Sequence, residues 1–335
     1  MIALAVAAAL LLAALCVALP LAVYATTLAA LGLPHVLAEL RYVARRFGGR
    51  WPRRAVAATL ALLAAIVALR VAALTEALPA AFTRPVELTL VAALAALTLP
   101  ALWRRAPVRA LLGGALIAAV AGGAAAAPIT TAVVLAGLHN LTPLGFIAEA
   151  APHRRRALAL AALAFVALPL LIASGLPYAA LAALGSLAPE WSPLPAGPLA
   201  AHLGVYLPAA AHAEPWALHA FSAFVFLQCA HYAAVLHALP RLAGDPRPTR
   251  RRLGAALALI GALTLAAFAR DFTGSRALYG VIAAVHAWIE VPVLLAALLA
   301  AHSSRNTSHP SPNETPFAHA DSPIARPHGS GASAR

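Results

Sequence analysis

Ala55-Val56-Ala57-Ala58-Thr59-Leu60-Ala61-Leu62-Leu63-Ala64-Ala65-Ile66-Val67-Ala68-Leu69 holds no charge, no proline and no glycine, and lies between Arg53-Arg54 and Arg70. Wound as a helix, the stretch is apolar on every side, so it has no face to offer water. It also lacks the alternation of a half-buried strand. The apolar run extends to about residue 77, and about 20 residues at 1.5 Å rise cross a hydrocarbon core of roughly 30 Å. Val86–Leu102 and Leu253–Ala269 are likewise rich in alanine and leucine and apolar nearly all round. A lipid-spanning β-barrel would need alternating strands of about 10 residues, so these blocks read as transmembrane helices.

Composition carries the same reading to the whole chain. Of 335 residues, 62% are hydrophobic and 10% charged, with mean hydropathy +0.84, too little polar surface to solvate a globule of this size. The expected fold is therefore all-α: a polytopic helix bundle over residues 1–301 followed by a disordered tail over 302–335. The length rule gives about nine spans, near 3–33, 55–77, 86–103, 110–126, 129–149, 157–175, 216–238, 253–269 and 277–300. Pro20 and Pro292 predict kinks, since embedded helices tolerate proline when neighbours satisfy the freed carbonyl. The proline-rich stretch 176–216 reads as a long outer loop with a short interfacial helix near 178–187. The N-terminus lacks the positive region of a cleavable signal and reads as the first span.

The 24 basic residues are all arginine and give a net charge of +13. Most sit between spans, where they set topology, which argues against nucleic-acid binding. Every second connection is arginine-rich: 41–54, 104–109, 154–156 and 241–252 hold most of them, whereas the intervening connections hold only Arg84, Arg270 and Arg276. By the positive-inside rule this places the N-terminus outside and the C-terminus in the cytoplasm, with helical spans pointing to the inner (plasma) membrane. Cys16 and Cys229 lie in apolar runs and form no metal-ligand spacing or disulfide framework.

Ionisable groups within apolar spans are costly, and each is a functional candidate. They are His35, Glu39, Arg70, Glu76, His139 with Asn140, Glu149, His219, Gln228, His231, His237, His286 and Glu290. His35 and Glu39, and likewise His286 and Glu290, stand four apart and share a helix face, so each carboxylate can orient its imidazole or bind a metal itself. His35, His139, His231, His237 and His286 fall at similar depth on four spans, and bundle interiors are where metal sites are built from facing side chains. His231 and His237 stand six positions apart, about 240° around a helix, so His237 competes with His286 for the fourth ligand position. Gln228 shares the face of His231 and is the third supporting residue beside Glu39 and Glu290. His202 and His212 in the outer loop, and the tail histidines, read as solvated. Imidazoles suit iron, copper and zinc. No phosphate-binding loop, G-x-S-x-G or H-E-x-x-H occurs.

Gly32-Leu33-Pro34-His35, with Glu39 four residues on, resembles the Brp/Blh family of membrane proteins, which carry a Gly-x-Pro-His segment and an acidic residue at that distance. The match covers eight contiguous positions. The resemblance implies a non-haem Fe(II) dioxygenase that cleaves β-carotene to retinal, with dioxygen as co-substrate and a lipophilic substrate entering from the surrounding membrane lipid. It carries iron ligation to His35, and further to His139 and His231. The family's paired histidines on a later helix are closer together than His231 and His237, and its second histidine lies nearer the first than His139 does to His35. Two other classes compete: a haem- or quinone-linked electron carrier, and a transporter or assembly protein whose Arg70, Glu76 and histidines line a polar path or join helices.

Overall fold

A computed structural model describes residues 2–306 apart from 48, 50, 152 and 245, and among these residues the structure is helices and their connections, with no strand. Among the described residues nine helices are long and apolar enough to cross a membrane: Pro20–Phe47, Arg53–Leu74, Ala80–Arg104, Pro107–Ala126, Pro128–Ala150, Arg155–Ala173, Ala217–Leu242, Arg247–Arg270 and Phe272–Leu295. Most expected spans find a counterpart, but the first is redrawn. Leu19 bends the chain and splits it into α1 (Ile2–Ala18) and α2 (Pro20–Phe47). Pro34 lies inside α2 without ending it. His35 and Glu39 therefore sit within a long, well-packed helix rather than beyond the end of one.

The remaining elements are α3 (Arg53–Leu74), α4 (Ala80–Ala96), α5 (Leu99–Arg105), α6 (Pro107–Ala126), α7 (Pro128–His139), α8 (Thr142–Ala150), α9 (Arg155–Ala162) and α10 (Leu168–Ala173). They are followed by α11 (Leu176–Ala183), α12 (Ala200–Leu203), α13 (Ala217–Ala233), α14 (Leu239–Leu242), α15 (Arg247–Arg270) and α16 (Phe272–Asn306). The tail expected from residue 302 lies almost wholly outside the described residues. Prolines shape two of the spans. Single π-turns at Leu163–Ala167 and Ala234–Ala238 precede Pro169 and Pro240, residues that offer no backbone N–H to the helix.

Helix α2 is the hub, packed by α1, α13, α15 and α16. Its close seam with α15 depends on Gly261, where a Cβ would stand 2.4 Å from the Ala30 carbonyl oxygen. Small residues at such seams let helices approach where lipid supplies no hydrophobic drive between them. Leucines on α3, α6 and α15, such as Leu60, Leu111, Leu112, Leu259 and Leu263, are more than half exposed, as expected of surfaces that meet acyl chains.

The arginine-rich connections gather at one end of the bundle. Arg46 at the end of α2 makes a bidentate pair with Glu149 on α8, at 2.8 and 3.3 Å, and α8 packs on α14. At the other end the segment 176–216 packs over the bundle as a cap that begins with the short helix α11. It buries Tyr178, Leu203, Tyr206 and Leu207.

Candidate metal centre

Four imidazoles meet in the middle of the bundle, each from a different helix: His35 on α2, His139 at the end of α7, His231 on α13 and His286 on α16. Their ligand atoms lie within 4.8 Å of one another, and those of Glu39, Glu290, His231 and His286 form a second such group. Donors bound to a common ion at about 2.1 Å stand about 3–4 Å apart, so either set is drawn tightly enough to close on one. Glu290 and His231 are fully buried, and His35, Glu39 and His286 are nearly so.

Each ligand is set by its own helix. His35 donates from Nδ1 to the Leu31 carbonyl at 3.1 Å, which leaves Nε2 as a lone pair aimed inward, 3.1 Å from His286 Nε2. Tyr232 stacks on the other side of the His35 ring, with centroids 4.0 Å apart. Gly32 makes room for Tyr279, whose ring would lie 3.1 Å from a Cβ at that position. His139 owes its position to a break expected nowhere in its span. Pro143 has no N–H to give the His139 carbonyl, which takes the Thr142 hydroxyl at 2.8 Å, and the chain turns through Asn140 and Leu141 before α8 begins. The imidazole thus sits at the joint between two half-helices, 14% exposed.

The carboxylates cross over. The spacing of four keeps Glu39 with His35 and Glu290 with His286 on shared faces, but Glu39 Oε2 lies 3.2 Å from His231 Nε2, and Glu290 Oε2 lies 2.9 Å from His139 Nδ1. Each therefore reaches an imidazole on a neighbouring helix. Hydrogen bonding does not satisfy the set: Glu39 Oε1, both Glu290 oxygens, His139 Nδ1 and His231 Nδ1 are buried without a hydrogen-bond partner. The two carboxylates also face each other. A buried polar atom left unpaired costs about 1–3 kcal/mol, more when charged. A divalent cation among four neutral imidazoles and two carboxylates would remove that cost and balance the charge.

The structure separates the remaining sequence candidates from this cluster. His237, six residues past His231, emerges on the exposed side of α13's π-turn and does not join the imidazoles. Gln228 is buried three residues before His231 but engages the Tyr206 hydroxyl and, at 3.3 Å, the Thr27 hydroxyl. His219 lies under the cap against Tyr178 and Gly175. His202, expected in solvent, is 2% exposed. Its Nε2–H donates to the Ala196 carbonyl at 2.8 Å, while its Nδ1 accepts from Arg276 at 2.7 Å. His212 is half-buried and donates to the Leu207 carbonyl.

Glu76 faces solvent, and Arg70 pairs instead with Glu87 on α4, a residue the sequence reading passed over. One oxygen of Glu87 accepts from Arg70 Nε and Nη2, at 2.9 and 2.7 Å, and from Trp288 Nε1 at 2.8 Å. Trp288 lies between His286 and Glu290 in the chain, so this junction of α3, α4 and α16 fixes the rotation of the helix that carries both. Glu87 is the second residue of the expected span 86–103; α4 in fact starts at Ala80 and runs through Pro85.

Set against models of protein families, curated proteins and solved structures, the chain finds no match.

Proposed function

We propose that this chain is a membrane-embedded metalloenzyme that holds one divalent ion between His35, His139, His231 and His286 and oxidises a long apolar substrate taken from the bilayer. The observation that carries this reading is the convergence of four imidazoles and two carboxylates in the buried centre of the bundle, with several of their polar atoms left without a hydrogen bond. Iron and a carotenoid-like substrate follow from the resemblance at residues 32–39. Iron held there would supply the dioxygen activation that such an oxidation needs. The protein's own part is to hold the imidazoles, balance the ion's charge with Glu39 and Glu290, and keep bulk water out. An apolar cavity of about 330 Å³ between α2, α3 and α16 is lined by Leu40 and Ile289, the chain neighbours of Glu39 and Glu290, and is suited to a lipophilic molecule. The arginine-rich end of the bundle is placed on the cytoplasmic face of an inner membrane.

Bis-imidazole haem binding fits less well. The four rings touch one another at centroid separations of 4.7–5.3 Å, which leaves no slot for a flat macrocycle.

The test is expression in a β-carotene-accumulating bacterium, with pigment extraction and metal analysis of the purified protein. Bleaching with formation of retinal or an apocarotenal, lost in His35→Ala, is the expected result. Metal without loss of carotenoid would leave the centre and remove the substrate. A Soret band would replace the reading with electron transfer, and a protein gently purified without metal would end it.

A further inference from the structure

Thr59 on α3 differs from five other threonines of this chain. Thr27, Thr75, Thr89, Thr131 and Thr264 each turn the hydroxyl back onto the carbonyl four residues earlier, at 2.7–3.1 Å, which satisfies the group within its own helix. Thr59 does not. It is 4% exposed, and its Oγ1 is buried without a hydrogen-bond partner. A hydroxyl left in that state is costly, so a partner that reaches it gains what the fold has not supplied. Thr59 stands in the wall of the cavity of about 330 Å³ between α2, α3 and α16. The other described lining residues, among them Val43, Ile289 and Val293, are apolar apart from the indole of Trp51, and none is charged. Leu60, the chain neighbour of Thr59 and part of the same wall, is 60% exposed, so one edge of the cavity meets acyl chains.

A hydrocarbon would fill this space and leave the hydroxyl unpaired. A water molecule would pair with the hydroxyl and leave the apolar wall uncovered. A carboxylate or phosphate would find no counter-ion. We infer that the cavity holds the end of a neutral lipophilic molecule that carries one oxygen, as a hydroxyl or a carbonyl, and that Thr59 is the residue that recognises that oxygen. A threonine hydroxyl donates to a carbonyl and either donates to or accepts from another hydroxyl, so both kinds of end suit it. Pockets for small molecules are built this way, mostly apolar with a few placed polar groups that fix orientation and specificity. The inference rests on the reading of this cavity as a place for the lipophilic substrate, and narrows that substrate from any long apolar molecule to one oxygenated at an end. Thr59 belongs to neither group of possible metal ligands, so it selects the molecule and leaves the chemistry to the centre.

Photolabelling of the full chain in detergent, as purified and under nitrogen so that no oxidation follows, tests it. The probes are a diazirine-bearing decanol and the matching diazirine-bearing decane, with the cross-links located by peptide mass spectrometry. We expect the alcohol to label the cavity wall on α2, α3 and α16 in preference to the alkane by on the order of tenfold, the effect of one neutral hydrogen bond. Thr59→Val, which keeps the shape and removes the hydroxyl, abolishes that preference, and Thr59→Ser retains it. Ala44→Phe, which adds a ring to the cavity wall, lowers labelling by both probes. Equal labelling of the wild type by the two probes, or a preference that survives Thr59→Val, overturns the proposal. Displacement of the label by decanoate more readily than by decanol marks a site for an anion and overturns it too. Thr59→Ala, checked for unchanged helix content, decides the matter if Thr59→Val misfolds. Metal content is the same in all of these variants, so a protein that binds metal and shows no preference fails here alone, and one without metal fails at the centre.

Discussion

At the scale of single residues, the central cluster divides the histidines by what their removal costs. His35→Ala and His231→Ala are each expected to purify with little bound metal, whereas His237→Ala, altered on the exposed side of the same helix as His231, keeps its full content; elemental analysis separates them. Glu39→Gln and Glu290→Gln preserve shape while removing charge, and a metal-chelator titration should show affinity lowered by about 10–100-fold in each. Unaltered affinity in both would mean that the carboxylates serve only the packing of helices. The imidazoles were legible in the sequence because a polar ring in an apolar run stands out. Which nitrogen meets which oxygen was not. The spacing of four tells which side chains share a face, but the partner across the seam depends on helix rotation, and so Glu39 reaches His231 and Glu290 reaches His139.

At the scale of elements, prolines explain most of what the apolar pattern concealed. Hydropathy places a span over 129–149 but gives no sign that Pro143 divides it beside His139, and it treats Pro20 as a bend within one span rather than the start of the hub helix. Glycine decides the closest seam. A Cβ at Gly261 would collide with backbone at Ala30, where no side chain can move aside, so Gly261→Ala must part α2 from α15. A destabilisation of about 1–3 kcal/mol is expected, read as a lower thermal midpoint in detergent. An unchanged midpoint would show that the seam is looser than drawn. Gly254, one face of α15 nearer its arginines, has open space where a Cβ would go, and Gly254→Ala is the matched control.

At the scale of the whole molecule, residues 176–216 keep the short helix expected near their start, in α11, but bury more than an outer loop needs to. Prolines and the absence of a long apolar run mark them as a loop, yet Tyr206 reaches Gln228 and His202 is buried, because apolar residues between the prolines still need cover. Burial, and the Arg276 guanidinium beside it, hold His202 below its ordinary value, while the Ala196 carbonyl opposes them. The unfolded cap thus takes up a proton before the folded one does, and the neutral ring's contribution is complete above about pH 6.5 and is lost as pH falls through that value towards the folded one. Hydrogen exchange over 196–212 should quicken as pH drops from about 7.5 to 5.5, once corrected for intrinsic rate. His202→Gln should flatten that response; an equal response in the variant would move its origin elsewhere. The central cluster has a further consequence for biogenesis. His35 and His286 touch across 251 residues of sequence, so the centre is incomplete until the last helix has joined the first ones in the bilayer. A chain stalled after α15 would hold three imidazoles and no Glu290. An ion bound by the whole set would therefore report that insertion is finished.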